Sequence, residues 1–100
     1  MSLPLHFHPH FFTDLCQAKC WLDKQQLGRG ELLEAAVYRT VSAVSAAPEA
    51  FACIRGSYRR ARVKGFKFGL LFAYIDGRIL VVGLPHDSQD LDTFLQRDPP

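Results

Sequence analysis

Residues 57–86, SYRRARVKGFKFGLLFAYIDGRILVVGLPH, decide the fold of this chain. They contain two β-type runs, residues 70–75 and 78–84, separated by the dipeptide Asp76-Gly77. Asp-Gly between two such runs is a strong hairpin signal, because a type I′ turn requires positive φ at both central residues. Both runs are almost continuously apolar, which predicts central positions in a sheet. The hairpin is therefore expected to form the middle of the fold.

A basic strand precedes this hairpin. Residues 58–64 alternate in polarity, as a strand with one buried face does. The alternation places Arg60, Arg62 and Lys64 on one face and Arg59, Ala61 and Val63 on the other. Gly65 is predicted to turn the chain into a strand over residues 66–75, and Pro85 is predicted to end the last strand.

Two helices are predicted before the sheet, over residues 10–26 and 31–47. In the first helix, apolar residues recur at helical spacing, namely Phe11, Leu15, Ala18 and Leu22. The link between the helices is short, so they must fold back as an antiparallel pair. A short strand over residues 3–7 precedes them, and a short helix over residues 90–96 follows the sheet. The fold class is therefore α+β, in the order β-α-α-β-β-β, with the helical hairpin on one face of a mostly antiparallel sheet.

The composition indicates one globular domain over residues 1–100. Hydrophobic residues make up 48% of the chain and charged residues 22%, which excludes a disordered polyelectrolyte. No apolar run approaches the roughly 18 residues that a membrane span requires. The first eight residues have no basic region followed by an apolar core, so no secretory signal is predicted. We therefore expect a cytoplasmic protein.

Three cysteines are an odd number, which fits a reducing compartment better than a disulfide framework. Cys16 and Cys20 lie four residues apart on the first predicted helix, and three histidines precede them. A zinc site is one reading, but the spacing is not that of a known finger. Packing as small apolar side chains is the favoured role for the cysteines, Cys53 included, and no metal or other cofactor is expected.

Charge is unevenly distributed along the chain. Residues 51–84 carry seven Lys or Arg against Asp76 alone, whereas residues 85–100 carry Arg97 against four Asp. A cationic sheet of this kind predicts a polyanionic or acidic partner. The alternative is that the cations only keep strand edges soluble, since Lys and Arg discourage edge-to-edge pairing.

Several segments, in sequence, resemble the ParE/RelE superfamily of small bacterial toxins from toxin–antitoxin pairs, and more specifically its ParE-like branch. The segments that carry the resemblance are Phe7 and Phe11, residues 21–26, residues 44–48, Ile54-Arg55-Gly56, Arg60-Ala61-Arg62 and, most closely, residues 66–86. The resemblance implies a toxin that forms a hetero-oligomer with a cognate antitoxin. ParE-type members poison DNA gyrase, whereas RelE-type members cleave messenger RNA in the ribosomal A site.

The resemblance to ribosome-dependent nucleases is incomplete. Arg60 and Arg62 match two strand positions of such enzymes, and His86 remains as a group suited to proton transfer near neutral pH. The basic residue expected after the aromatic Phe68 is replaced by Gly69, and the arginine expected after the last strand is replaced by the acidic residues 87–90. We therefore expect no catalysis, and His86, Arg60 and Arg62 are catalytic candidates only if the protein is a nuclease.

A docking surface requires less than a catalytic one, and the basic strand supplies arginine and tyrosine, which are favoured interface residues. The predicted partner-binding residues are Tyr58, Arg59, Arg60, Arg62, Lys64, Lys67 and His86. The prediction is a toxin that binds and poisons DNA gyrase and is neutralised by an antitoxin, without membrane binding or sequence-specific nucleic-acid binding. The alternatives are an mRNA endonuclease, a weakened toxin that only binds its antitoxin, and a single-strand binding module that uses Phe66 and Phe68.

Overall fold

The computed structural model describes residues 3–97. The elements are β1 (Leu5–Phe7), α1 (Pro9–Gln25), α2 (Arg29–Ala46), a 3-10 turn (Pro48–Ala50), β2 (Cys53–Arg55), β3 (Tyr58–Arg62), β4 (Gly69–Ile75), β5 (Arg78–Gly83) and α3 (Asp92–Leu95). The α+β class is confirmed, and the predicted element order is confirmed apart from one additional strand, β2. The short strand β2 was not predicted, because its residues carry no alternating pattern and all three are exposed.

The five strands form one sheet in the order β1-β5-β4-β3-β2. β1 pairs with β5 in parallel, and the other neighbours are antiparallel. β4 and β5 thus lie inside the sheet, as their apolar sequences predict. Asp76 and Gly77 have φ values of 52° and 74°, so the turn between these strands has the predicted positive φ at both residues.

The segment between β3 and β4 differs from the prediction. β3 ends at Arg62 and β4 begins only at Gly69, whereas strands over residues 58–64 and 66–75 were expected. The backbone N–H of Phe66 donates to the carbonyl of Val63 and closes a turn, for which Gly65 supplies a φ of +88°. Phe68 then pairs with His86 in an isolated bridge ahead of the strand.

The two helices cover one face of the sheet. The predicted stripe of α1 is buried, and it packs with Leu33, Val37 and Val44 of α2 against the inward side chains of β3, β4 and β5. The helices approach closely at Gly30, where a β-carbon would lie 2.8 Å from the carbonyl oxygen of Lys19. Asp23 of α1 accepts hydrogen bonds from the backbone N–H groups of Gly28 and Gly30, so it caps the first turn of α2.

The opposite face of the sheet has a smaller apolar cluster of its own. Leu71 and Val82 from the central strands are buried there against Phe94 of α3. Tyr58, Leu80 and Leu95 pack around this cluster and are only partly covered. Residues 87–97, which we call the tail, therefore lie on the face of the sheet that the helical hairpin leaves uncovered.

The expected packing role of the cysteines is wrong: Cys16, Cys20 and Cys53 are all exposed. The apolar stripe of α1 falls on other positions of the helix, which turns both of its cysteines outward. Within residues 3–97, no group of three or more His, Cys, Asp or Glu side chains is arranged to hold a metal ion. None of the helices described in these residues combines the length and apolarity that crossing a bilayer requires.

Candidate partner-binding face

The alternation of β3 sorts its side chains between the two faces of the sheet. Ala61 is buried beneath the helices, whereas Arg60 and Arg62 point to the opposite side. In the register of the sheet, Arg60 lies beside Leu71 and Arg62 beside Gly69. We call the surface formed by these two arginines, Tyr58 and its neighbour Arg55 in β2 the basic face.

The guanidinium of Arg60 is held in a fixed place on this face. Its Nη2 donates a hydrogen bond to Oδ1 of Asp87, and the two side chains are 27% and 33% exposed. Gly69 lies directly beneath, and a β-carbon there would collide with the guanidinium. The absence of a side chain at Gly69 therefore makes the room that Arg60 occupies.

Arg60 does not use all of its donors in this arrangement. Its Nε is shielded from solvent and has no hydrogen-bond partner in the part of the chain that the structure describes. Buried polar groups are nearly always paired in folded proteins, because an unmet donor costs about 1–3 kcal/mol. Arg60 is thus a positioned cation that carries one buried, unpaired donor.

Asp87 is an anion in a cationic setting. The hydrogen bond from Arg60 lowers the pKa of the Asp87 carboxyl below its ordinary value, and partial burial acts in the opposite direction. The charges of Arg60, Arg62 and His86 lower this pKa further. Asp87 therefore stays ionised near neutral pH and compensates charge on the basic face.

A second ion pair joins the acidic tail to the basic strands. Nη1 of Arg55, in β2, lies 3.2 Å from Oδ1 of Asp92, the first residue of α3. Both side chains are more than half exposed. The tail thus crosses this side of the sheet with an apolar anchor, Phe94, and with carboxylates placed at two arginines.

His86 lies elsewhere, although Asp87 follows it directly. Its ring packs edge-on against Phe68 and Trp21, at centroid distances of 5.1 and 6.1 Å. Trp21 belongs to α1, and Phe68 belongs to the core beneath the helices. Nδ1 of His86 lies 2.8 Å from Oγ of Ser88. The His86 ring therefore points to the helix side of the sheet, away from the guanidinium of Arg60.

These aromatic side chains border a cavity of about 430 Å³ between α1 and the end of β5. Polar side chains at its margin come from α1 and from the segment after β5, including Gln17, Ser88 and Gln89. Arg60 and Arg62 are not among the lining residues. The three candidates for a nuclease thus do not converge on one cavity.

The remaining predicted binding residues are spread over several surfaces. Arg59 points to the helix side, where its Nη1 donates to the carbonyl of Phe51 at 2.7 Å. Lys64 and Lys67 are exposed in the segment between β3 and β4. Tyr58 lies on the basic face and packs against the apolar cluster beneath the tail. The structure thus brings together Tyr58, Arg60 and Arg62 from the predicted set.

Sequence reasoning missed the partners that the basic face already has. Asp87 belongs to the segment interpreted above as an acidic departure from the family pattern, and Gly69 stands where that pattern has a basic residue. The available signal was the charge asymmetry between residues 51–84 and residues 85–100. Opposite charges in two adjacent segments predict contacts between the segments.

No protein-family model matches the sequence, and neither does any curated protein. Solved structures do match the fold. A chain of the chromosomal ParDE toxin–antitoxin system from P. aeruginosa superposes with a TM-score of 0.74 at 10% identity, over 85% of this chain and 96% of that one. An arginine-to-alanine double mutant of the E. coli toxin RelE, in the free state, gives a TM-score of 0.65 at 15% identity, over 95% of this chain and 92% of that one. The expectation raised by the sequence resemblance is thereby confirmed for the architecture: this chain has the fold of the ParE/RelE toxins.

Proposed function

We propose that this protein is the toxin of a type II toxin–antitoxin pair, that a cognate antitoxin holds it in a hetero-oligomer, and that it acts by binding DNA gyrase. The observation that carries the proposal is the fold, which matches the ParDE and RelE structures over most of the chain. The TM-score is higher for the ParDE structure, in line with the resemblance of the sequence to the ParE-like branch.

The placement of the polar residues supports binding rather than RNA cleavage. Cleavage without a metal needs a proton-transfer group and cations that converge on one phosphate. Here the His86 ring packs against Trp21 on the helix side, whereas Arg60 lies on the basic face and is paired with Asp87. A surface that docks on a large protein needs no such convergence.

The proposal is tested by inducing this chain alone in a bacterial host and by following growth together with gyrase-linked DNA breaks. We expect growth arrest with such breaks, and relief from both in a host with an altered gyrase. The variant in which Arg60 and Arg62 are both alanine is expected to reduce toxicity, and Arg78→Gln, on an exposed position beside the hairpin turn, is the matched control.

Two other results would each overturn the gyrase target. Arrest without DNA breaks, together with cleavage of ribosome-bound messenger RNA by the purified protein, would identify a nuclease. No arrest, together with tight binding to the product of a neighbouring antitoxin gene, would identify a chain that only binds its antitoxin.

A further inference from the structure

The basic face already contacts carboxylates that belong to this same chain. Asp87 and Asp92 lie five positions apart in the tail, and each pairs with an arginine of a different strand, Arg60 of β3 and Arg55 of β2. The tail is thus an acidic segment laid along cationic strands. The tail shows that the face accepts carboxylates and that they lie at Arg60 and Arg55.

In both contacts, another carboxylate can replace the aspartate at its arginine. The side chains of Arg60 and Asp87 are 27% and 33% exposed, and those of Arg55 and Asp92 are 67% and 57% exposed. Exposed ion pairs contribute little to stability, because water and salt compete for both charges. The tail is held by other contacts, namely the buried ring of Phe94 and the pair between Arg97 and Asp14, whose side chains are only 15% and 13% exposed. The carboxylates can therefore leave the arginines while the tail stays in place.

The face also has a cation that is not engaged by the tail. Arg62 is exposed and makes no ion pair with any residue of the described range 3–97. The room left by Gly69 lets the guanidinium of Arg60 lie against the sheet, where it already donates to one carboxylate. One internal carboxylate does not saturate this pair of arginines.

We propose that the basic face is a docking surface for an acidic peptide segment of a partner protein, whose carboxylates take the places of Asp87 and Asp92 at Arg60 and Arg55 and also engage Arg62. The two internal aspartates act as competitors that the partner displaces. This inference does not depend on the toxin role, because it rests on the contacts of the face alone. A carboxylate partner is favoured because carboxylates already occupy two positions of the face.

The experiment uses a fluorescein-labelled oligoglutamate peptide as the probe and follows its anisotropy with the full-length protein at low ionic strength. Asp87→Asn removes the competing charge and keeps the shape of the side chain. Asp76→Asn, in the turn at the other end of the β4–β5 hairpin, changes the net charge by the same amount, and asparagine tolerates the positive φ of that position. Thermal melts by circular dichroism verify that each variant is folded.

We expect Asp87→Asn to bind the probe roughly two- to fivefold more tightly than the parent, as follows from removing an exposed ion pair. Asp76→Asn should leave the affinity unchanged. Arg62→Gln should weaken binding by about two- to fivefold, whereas Arg78→Gln should not. Added salt should weaken the binding of all these proteins.

Three outcomes would overturn the proposal. An equal increase in affinity for oligoglutamate in Asp87→Asn and Asp76→Asn would show that the binding depends only on the net charge of the protein. An unchanged affinity for Arg62→Gln would remove the face from the binding site. The third outcome concerns a labelled oligothymidylate. If Asp87→Asn raises the affinity for oligothymidylate as much as the affinity for oligoglutamate, or more, the face would be assigned to nucleic-acid phosphates instead. Growth assays of toxicity would be unaffected by any of these results, so the two proposals can fail separately.

Discussion

Arg97 in the tail and Asp14 in α1 form a two-contact ion pair, Nη1 to Oδ2 at 2.7 Å and Nη2 to Oδ1 at 3.1 Å. The same two side chains hydrogen-bond to backbone groups at the unpaired edge of β5. Arg97 Nη1 donates to the carbonyl of Val82, and the backbone N–H of Leu84 donates to Asp14. β1 pairs with β5 only as far as Val81, so these backbone groups have no strand beside them. The ion pair acts here in place of a neighbouring strand.

Arg97→Gln should therefore cost more stability than an ordinary surface change. The variant leaves the carboxylate of Asp14 and the carbonyl of Val82 poorly paired in a mostly buried setting, and we expect a loss of about 2–4 kcal/mol in the free energy of unfolding. Urea unfolding followed by circular dichroism measures it. Arg78→Gln, on an exposed position, should change stability by less than about 0.5 kcal/mol. Equal losses for the two variants would mean that the pair has no structural role.

Gly69→Ala and Gly30→Ala should differ in their cost to stability, although both positions are crowded. At Gly69 the three atoms nearest to the new methyl group belong to the end of the Arg60 side chain, which can move once its contact with Asp87 breaks. We therefore expect a stability change below about 1 kcal/mol and a lost contact with Asp87. At Gly30 it meets the backbone carbonyl of Lys19, which cannot move alone, and we expect a loss of about 1–3 kcal/mol. Chemical denaturation of both variants decides this, and an equal cost would contradict the difference.

The pH dependence of the Arg60–Asp87 contact follows from the lowered pKa of Asp87. A carboxyl whose pKa is lower in the folded protein contributes stability above its unfolded pKa and loses that contribution as pH falls through the folded value. The contact should thus be complete at neutral pH and vanish in acid, below the ordinary value of 3.8. Carboxyl-carbon NMR titration measures the pKa directly. Arg60→Gln should raise it toward 3.8, and an unchanged midpoint would contradict the assigned cause.

The interior of the fold was predictable because each part of it has a local signature. Local residue patterns identify the buried stripe of α1 from Phe11 to Leu22, the apolar strands β4 and β5, and the turn at Asp76-Gly77. The start of β4 was misplaced because Phe66 is apolar and still lies in a turn. Tertiary hydrogen bonding decided that boundary, and strand propensity did not.

The candidate site was harder to predict because its contacts join residues far apart in the sequence. The alternation of β3 correctly separated Arg60 and Arg62 from Ala61. Nothing local links Arg60 to Asp87, which lies 27 residues later, or shows that Gly69 makes room for a guanidinium. Likewise, His86 directly precedes Asp87 in the sequence, yet its ring packs on the opposite side of the sheet.

Leu33→Ala tests the core between α2 and the sheet. Leu33 is fully buried, and its truncation leaves a cavity that the close packing of the two helices prevents from collapsing. We expect a loss of about 2–4 kcal/mol in the free energy of unfolding, measured by urea denaturation. Leu32→Ala, one position earlier and 60% exposed, is the matched control and should be nearly neutral. A small effect at Leu33 would contradict the assignment of the buried face of α2.

Replacing Arg60 and Arg62 together by alanine should leave the fold intact. Both side chains project from the basic face, and Asp87 remains exposed enough to be solvated once its partner is gone, so the change in unfolding free energy should stay within about 1 kcal/mol. Binding of an acidic probe should fall sharply in the same variant. The converse substitution, Ala61→Arg, buries a charge beneath the helices on the same strand and should prevent folding. If the double variant unfolds and Ala61→Arg does not, the faces of β3 are exchanged, as a one-residue slip in register would produce.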